Sequence, residues 1–370
     1  MTGTLAIVND RVYAYGSGDP TAFGGAERQQ WLLARAMAGV GWKVLVGVRR
    51  GISPGARETI DGVHYVGIGR GRLLLDWYRF LSVERPHWWY WRCASHMWGP
   101  AVQVARLARV RTVFAAGFDR DLVPRQALVG EHRYWWPLYV WGLSGTDRIL
   151  LQHEAQRSHL SAGLLGKAHV VRSIAPLPAD PLPHASRPPH VAWMAMLREA
   201  KRPDLLVEIA RRLPDVPFIV CGRASTHRSA PGYGARMVEA LRALPNVDYR
   251  GQVSPEEAER VIGEASVLLS TSDLEGFPNT FLQAWSSGTP VVSLTVDPDD
   301  AIARAGLGKL SGTVEQAVAD LKDLLQSPSQ REALGARGRR YVAEVHGERE
   351  VARTFALALG EDSGQNRRNP

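Results

Sequence analysis

The chain has 370 residues, of which 45% are hydrophobic and 22% charged, a balance typical of soluble globular proteins. No uncharged apolar run approaches the roughly 18 residues of a transmembrane helix, and the N-terminus lacks the basic region of a signal peptide. These properties argue against membrane-spanning and secreted classes, and the length suits two α/β domains.

Charge and tryptophan are unevenly distributed. Residues 1–172 carry 22 Lys and Arg against 12 Asp and Glu, and they hold ten of the twelve tryptophans. A basic, Trp-rich half suggests an anionic partner or a membrane interface. A generally arginine-rich composition is the alternative, since only five of the 45 basic residues are Lys. Two cysteines, Cys93 and Cys221, fit a reducing cytoplasm.

Strand and helix patterns alternate along the first half, which predicts a parallel sheet. The predicted elements are strands at Leu5–Val8, Lys43–Val48, Trp88–Trp91, Thr112–Ala115, Arg148–Leu151 and His169–Val171, with an amphipathic helix at Ala26–Met37. Gly24 and Gly25 stand at the start of that helix, where paired glycines let backbone N–H groups approach a bulky anion. The dinucleotide pattern of three spaced glycines and a later acid is absent.

Polar side chains follow two of these strands. His96 lies beyond Trp88–Trp91, and Asp119 and Asp121 lie beyond Thr112–Ala115. Ligands of open α/β sheets bind beyond the carboxyl ends of strands, so the three residues are candidates for contacting an acceptor or a sugar. For both aspartates, capping of a loop is an equal or better alternative.

A segment of extreme composition divides the chain. Residues 173–189 include six prolines, which exclude helix and central strand and predict an extended linker. A second series of strands and helices follows. Its predicted strands are His190–Met194, Phe218–Cys221, Val247–Tyr249, Val267–Leu269 and Val291–Ser293, and its helices are Pro203–Leu213, Arg236–Leu244, Pro255–Ile262, Thr280–Ser286, Val314–Leu325, Gln330–Val345 and Glu348–Leu359.

Basic residues precede the first helix of this series. Arg198 and Lys201 stand in a loop, and Pro203 suits the first helical position. A cation beside a helix N-terminus can neutralise a diphosphate. For Lys201 we expect phosphate contact, whereas Arg202 is expected at the solvated surface.

The most informative segment runs from Glu275 to Val292. Glu275 is followed by a glycine-containing loop, a helix and another strand. Free N–H groups at such a helix start favour phosphate. An acid before the loop would repel phosphate, so Glu275 is expected to face sugar hydroxyls. Gln283 follows eight positions later, within about 80° of the same direction around the helix axis.

This segment resembles the signature of the retaining GT-B glycosyltransferases of family four, in which two acids separated by seven residues contact the donor sugar and the ribose. The resemblance implies that Glu275 and Lys201 are catalytic, Lys201 as the diphosphate-binding lysine. The implied donor-binding residues are Gly24, Gly25, Arg198, Gly222, Val253, Gly276, Phe277, Pro278, Asn279, Thr280 and Gln283. Two positions depart from the family pattern: Gln283 replaces the second acid, and Met196 replaces an arginine for which Arg198 could substitute.

Asp297, Asp299 and Asp300 form an Asp-x-Asp pattern that binds a metal in other glycosyltransferases. Capping of the following helix by Asp299 and Asp300 is the favoured alternative. The resembled enzymes usually need no metal, so no metal or other cofactor is expected.

The resemblance implies an α/β protein with two Rossmann-like domains facing across a cleft. The expected organisation is an acceptor-side domain over 1–172, the linker over 173–189, a nucleotide-sugar-binding domain over 190–346, a helix over 347–360 crossing back to the first domain, and a disordered tail over 361–370. The expected reaction is retaining transfer from a UDP- or GDP-sugar to a glycan, lipid-linked or small-molecule acceptor, in cell-envelope or polysaccharide biosynthesis. A nucleotide-sugar-binding protein with weak or lost catalysis and a nucleotide-sugar epimerase remain alternatives; no nucleic-acid-binding module is recognisable.

The expected location is the cytoplasm, with possible attachment to the inner face of the membrane. Gly71–Leu81 mixes arginines with large apolar residues, so Arg72 and Arg79 could meet lipid headgroups while apolar side chains enter the acyl boundary. Packing of Leu73, Leu75 and Trp77 into the core is the competing interpretation.

Overall fold

In the computed structural model, which describes residues 3–128, 130–226 and 229–360, the chain forms two compact units. The first comprises Met1–Ile174 together with Glu348–Pro370, and the second comprises Ala175–Gly347. The predicted tail over 361–370 lies outside the described residues.

The first unit is built on an eight-stranded sheet, counted over its described residues. Its strands are β1 (Thr4–Val8), β2 (Lys43–Val48), β3 (Arg57–Ile60), β4 (Val63–Gly67), β5 (Trp88–Arg92), β6 (Arg111–Ala115), β7 (Arg148–Leu151) and β8 (Ala168–Val170), in the order β3-β4-β2-β1-β5-β6-β7-β8. Neighbouring strands are parallel except β3 and β4, which form an antiparallel pair. The sequence pattern missed this hairpin because β3 is short, polar and mostly exposed.

Helices cover both faces of this sheet. They are α1 (Asp10–Gly16), α2 (Gly25–Gly39), α3 (Leu73–Glu84), α4 (Trp98–Leu107), α5 (Pro124–Ala127), α6 (Trp136–Gly145) and α7 (Ala162–Leu165). Successive side chains of a strand point to opposite faces, so Ile7 enters the core beneath α1 and α2 while Ala6 enters the core beneath α3, α4 and α6.

The second unit contains a six-stranded parallel sheet in its described part. The strands are β9 (Val191–Met194), β10 (Phe218–Cys221), β11 (Val247–Gly251), β12 (Val267–Ser270), β13 (Val291–Ser293) and β14 (Gly308–Leu310), in the order β11-β10-β9-β12-β13-β14. Its helices are α8 (Pro203–Arg212), α9 (Tyr233–Arg242), α10 (Pro255–Glu264), α11 (Asn279–Ser286), α12 (Ala301–Ala305), α13 (Val314–Gln326) and α14 (Pro328–Val345). This strand order is that of dinucleotide-binding α/β folds, and its direction reverses between β9 and β12.

The proline-rich segment contains no α-helix or strand, and nearly all of it is part of the second unit. Residues 175–189 belong to the second unit, and a short 3-10 turn forms at His184–Ser186. Arg187 anchors the segment, because its buried guanidinium donates to the Ala265 carbonyl at 3.1 Å and to Thr289 Oγ1 at 2.7 Å. Proline excludes regular helix here, but it does not prevent neighbouring side chains from attaching the backbone to the unit.

The last helix, α15 (Glu348–Ala358), belongs to the first unit and packs against α2. Phe355 is fully buried there and meets the Tyr90 ring edge-on with centroids 5.9 Å apart. Among the helices of the described residues, none combines the length and apolar character needed to cross a bilayer.

Because Phe355 fills the core of the first unit, we expect Phe355→Ala to lower the free energy of unfolding of that unit by about 3–5 kcal/mol. Leu357 lies on the same helix but is 39% exposed, so Leu357→Ala should change the free energy of unfolding by about 0.5 kcal/mol or less. Denaturant titration of both variants measures the difference. Equal effects would show that α15 does not contribute to the core as described.

Candidate functional site

The reversal of strand order in the second unit brings two charged residues together. Lys201 ends a 3-10 turn (Glu199–Lys201) after β9, and Glu275 lies in the loop after the adjacent β12. Lys201 Nζ forms an ion pair with Glu275 Oε1, and only 11% and 12% of the two side chains are exposed. Crevices outside the carboxyl ends of strands at such a reversal are the usual ligand sites of open α/β sheets.

Neutral side chains hold the two charged loops in place. Thr271 Oγ1 donates to the Lys201 carbonyl at 2.7 Å and accepts from Trp193 Nε1 at 3.0 Å. Ser272 Oγ donates to Glu275 Oε1 at 3.3 Å. Thr271 and Ser272 were not predicted as site residues, although a polar Ser-Thr-Ser run directly after an apolar strand was the available signal.

The electrostatics of Lys201 are set by two opposing influences. Burial, followed by the nearby Arg198, lowers the pKa of Lys201 to about 7. Contact with the Glu275 carboxylate favours the charged form and opposes that shift. A lysine in this balance gains or loses its proton readily when an anion enters or leaves its surroundings.

The predicted phosphate cradle surrounds the start of α11. This helix begins at Asn279 with Pro278 as its N-cap, a few residues beyond Glu275. Gly276, Phe277 and Pro278 are buried, and Phe277 packs edge-on against Trp285 in the core. Phe277 can therefore offer a ligand only its backbone.

The remaining residues at the cradle are less buried. Asn279, Thr280 and Gln283 lie on α11 and are partly exposed. Gln283 is thus in position to meet a ligand from the helix that carries the predicted phosphate contacts.

Two further predicted donor residues lie at the ends of β10 and β11. Gly222 has a φ of 146°, and a Cβ added there would lie 1.8 Å from the Ala195 carbonyl oxygen, so only glycine fits. Val253 is partly buried against the hydrophobic core, which leaves its backbone as the group for recognition. Met196, which stands where the family has an arginine, is 36% exposed.

In the first unit, Gly24 and Gly25 are at the start of α2 as predicted from the sequence. Gly24 has a φ of 111°, and a Cβ there would lie 2.1 Å from Glu27 Oε2. Glu27 in turn pairs with Arg11 at 3.1 Å. The positive φ therefore favours glycine at this position independently of any ligand.

The three acceptor-side candidates have different surroundings. Asp121 is 4% exposed, and its Oδ2 accepts from the backbone N–H groups of Gly117 at 2.8 Å and Phe118 at 3.1 Å. Burial raises the pKa of this carboxyl, and the same hydrogen bonds oppose the shift. Asp121 therefore caps its own loop, which was the structural alternative.

Asp119 and His96 are more accessible. Asp119 Oδ1 lies 3.3 Å from His153 Nε2 and accepts from Gln156 Nε2 at 2.9 Å. The hydrogen bond to His153 is the main cause that lowers the pKa of Asp119. His96 stacks on His132 with ring centroids 4.0 Å apart, and burial followed by His132 lowers its pKa.

In the Asp-x-Asp segment, it is Asp297 that caps the following helix. Asp297 accepts from the backbone N–H groups of Ile302 at 2.7 Å and Ala303 at 3.0 Å at the start of α12. Asp299 and Asp300 instead have positive φ values of 60° and 53°, and no side-chain cap hydrogen bond forms from Asp300. Within the described residues, no cluster of three or more His, Cys, Asp or Glu could hold a metal ion.

The second unit thus brings Lys201, Arg198 and Glu275 together beside the start of α11. The first unit carries Gly24, Gly25, His96 and Asp119 near the carboxyl ends of its own strands. Chemically, the set in the second unit combines cations suited to phosphate with a carboxylate suited to hydroxyl groups.

Comparison with known proteins identifies similarity to glycosyltransferases. Residues 179–341 match the family model described as "Glycosyl transferases group 1". A D-inositol 3-phosphate glycosyltransferase of Mycolicibacterium gilvum is 25% identical over 250 residues, covering 62% of this chain and 54% of that protein. One of Corynebacterium aurimucosum is 28% identical over 154 residues, covering 39% of this chain and 37% of that protein. The chain therefore spans about half the length or less of these curated relatives.

Similar folds occur among solved structures. Sucrose-phosphate synthase of Thermosynechococcus elongatus has a TM-score of 0.74 at 14% identity, covering 97% of this chain and 98% of that one. Anabaena HepE in complex with UDP-glucose has a TM-score of 0.72 at 13% identity, covering 97% and 100%. Residues 179–341, in the second unit, are therefore similar to the glycosyl transferases group 1 family, and the α/β fold of both units matches that of GT-B glycosyltransferases.

Proposed function

We propose that the protein is a retaining glycosyltransferase that moves a hexose from a nucleotide-sugar, UDP- or GDP-linked, to a hydroxyl acceptor. The observation that carries the proposal is the buried Lys201–Glu275 pair at the reversal of strand order, beside the start of α11. Support for a nucleotide-sugar also comes from the similarly folded HepE, which was solved with UDP-glucose.

The residues of the second unit have distinct proposed roles. Lys201, assisted by Arg198 and by the backbone N–H groups of Phe277, Asn279 and Thr280, neutralises the departing diphosphate. Glu275 holds hydroxyl groups of the transferred sugar. Gln283 bonds to the ribose as a neutral partner, and the backbones of Gly222 and Val253 border the nucleotide.

In a retaining reaction of this kind, the acceptor hydroxyl attacks the face that the diphosphate leaves. The leaving diphosphate itself takes the proton of that hydroxyl, so the mechanism needs no separate general base. Catalysis then comes mainly from charge stabilisation and positioning.

The proposed acceptor is a glycan, a lipid-linked sugar or a small molecule of cell-envelope or polysaccharide biosynthesis, used in the cytoplasm or at the inner face of the membrane. His96 and Asp119 are the proposed acceptor-side contacts, whereas Gly24 and Gly25 are proposed to contact the donor. Asp121 is a weaker candidate because its carboxylate caps its loop.

A nucleotide-sugar-binding protein with lost catalysis is the second candidate, favoured by Gln283 and Met196 at the two positions that depart from the family pattern. Incubation of purified protein with UDP-glucose distinguishes the two. Slow release of free glucose supports the transferase, whereas binding without any turnover supports the alternative.

The first test concerns Glu275. We expect Glu275→Gln to reduce turnover by about 10²-fold or more, because the carboxylate would no longer stabilise the sugar in the transition state. Removing one charge of a buried pair also destabilises the fold, by up to about 3–5 kcal/mol, so turnover is compared at a temperature where both proteins are folded.

The matched control for this variant is Glu264→Gln, at an exposed ion pair with Arg260 on α10. It should retain wild-type turnover. Near-normal transfer by Glu275→Gln would contradict the assigned role.

The second test concerns the charge of Lys201. Because its pKa is lowered to about 7, raising the pH through that value removes the proton that a diphosphate needs. UDP affinity should therefore fall as pH rises through about 7, and UDP binding should take up a proton.

Calorimetry in buffers of different ionisation enthalpy measures this uptake. Lys201→Gln is the control, because it keeps the titration of UDP itself and removes only the lysine contribution. Identical pH profiles for the two proteins would exclude Lys201 from the diphosphate site.

The third test concerns metals. We propose that transfer needs no metal ion, because the diphosphate charge is met by Lys201 and helix N–H groups. Activity should persist in excess chelator. Loss of activity that manganese or magnesium restores would overturn this proposal.

A further inference from the structure

One helix layer of the first unit has an unusual surface. Helices α3, α4 and α6 lie side by side on one face of the sheet. Large apolar side chains project from this layer into solvent: Leu74, Leu75 and Tyr78 are 40%, 39% and 40% exposed, and Trp135 and Trp141 are 51% and 48% exposed.

Helix α6 departs furthest from the pattern of a surface helix. Its sequence, Trp-Pro-Leu-Tyr-Val-Trp-Gly-Leu-Ser-Gly, is apolar around nearly its whole circumference. A helix of this kind is normally buried or in contact with lipid. Only one side of α6 is covered here, since Tyr139 and Leu143 enter the core while Trp141 faces outward.

The charges of this layer have a single sign. Arg72, the N-cap residue of α3, and Arg79 on α3 are exposed, and Arg106 is exposed on α4. Neither α4 nor α6 contains an acid. The two acids of α3 are withdrawn: Asp76 is 5% exposed, and the Glu84 side chain is 6% exposed and pairs with Arg57.

The opposite helix layer of the same unit provides the contrast. Among its described residues, the exposed large apolar side chains are Val40 and Leu357. Its charges alternate in sign, with Arg353 paired to Glu350 at 2.7 Å and Arg11 paired to Glu27. General arginine richness would affect both layers alike, so it does not account for the difference.

We propose that the layer formed by α3, α4 and α6 docks on an anionic lipid bilayer. Arginines at lipid headgroups and aromatic side chains at the acyl boundary are the features of a peripheral membrane surface, and the positive charge of the layer complements anionic lipid. The docking residues are Arg72, Leu74, Leu75, Tyr78, Arg79, Trp135 and Trp141.

This surface differs from the one that the sequence suggested. Trp77 is 5% exposed and Leu73 is half-buried, so both pack toward the core as in the competing interpretation. Half of the ten tryptophans of the unit are buried core residues; Trp88, Trp89 and Trp98 are at most 1% exposed. We therefore assign the lipid contact to Trp135, Trp141 and the outer side of α3.

Cosedimentation of the full chain with vesicles tests the proposal without donor or acceptor, so its outcome is independent of the proposed transferase activity. We expect binding to phosphatidylcholine vesicles that contain phosphatidylglycerol, weaker binding at high salt, and little binding to phosphatidylcholine alone. Absence of this preference for anionic lipid would overturn the proposal.

Paired variants locate the surface. Arg72→Ala with Arg79→Ala should weaken binding about thirtyfold at low salt, because each basic residue at an anionic surface contributes a factor of roughly five. Trp135→Ser with Trp141→Ser should weaken binding at both salt concentrations, since this contribution is apolar.

The matched controls lie on the opposite layer. Arg349→Ala with Arg353→Ala, and Val40→Ser with Leu357→Ser, should bind as the wild type does. Equal losses in variants and controls would place the lipid contact elsewhere. Self-association that the Trp135 and Trp141 changes abolish, without vesicle binding by the wild type, would instead make the layer an interface between copies of the chain.

Discussion

A buried lysine and a buried carboxylate stabilise a fold only when each is close to its counterion. Lys201 and Glu275 satisfy this condition, although 74 residues separate them along the chain. Either charge alone in this position would destabilise the unit by several kcal/mol. The loops after β9 and β12 must therefore stay together, and the hydrogen bonds of Thr271 and Ser272 hold them there.

The need of each buried charge for a counterion also makes the pair suited to binding a charged ligand. A cation that is desolvated and opposed by one carboxylate gains favourable energy when a diphosphate approaches, because the added negative charge supports its protonated form. The carboxylate is then available for hydroxyl groups. This ion pair at a strand-order reversal is the basis of the proposed nucleotide-sugar site.

The first unit shows a different use of burial. Both faces of its sheet have a full hydrophobic core, yet only one helix layer leaves large apolar side chains and unopposed arginines outside. Core stability does not require this asymmetry, since α2 and α15 cover their side of the sheet with a mixed polar exterior. The difference between the two layers is therefore the basis of the proposal that the layer formed by α3, α4 and α6 docks on a membrane.

The sequence by itself determined the α/β class, the positions of most strands and the placement of Glu275 and Lys201 beyond the ends of strands. These features depend on local information: apolar runs for buried strands, glycines where a positive φ is needed, and a polar loop before a helix. Gly24 illustrates both the success and its limit. The sequence placed it correctly at the start of α2, but only the structure showed that the Glu27 side chain occupies the space of its missing Cβ.

Tertiary structure alone decided which distant residues meet. Direct contact between Lys201 and Glu275, the capping of a loop by Asp121, and the anchoring of the proline-rich segment by Arg187 all depend on strand order and on neighbours far along the chain. The tryptophans show the same limit. The sequence gives their number and positions, but it does not show which side chains point into the core and which point to solvent. Trp89 and Trp141 both stand in apolar, Trp-rich segments of the sequence. Only packing against the sheet makes Trp89 a core residue and leaves Trp141 at the surface.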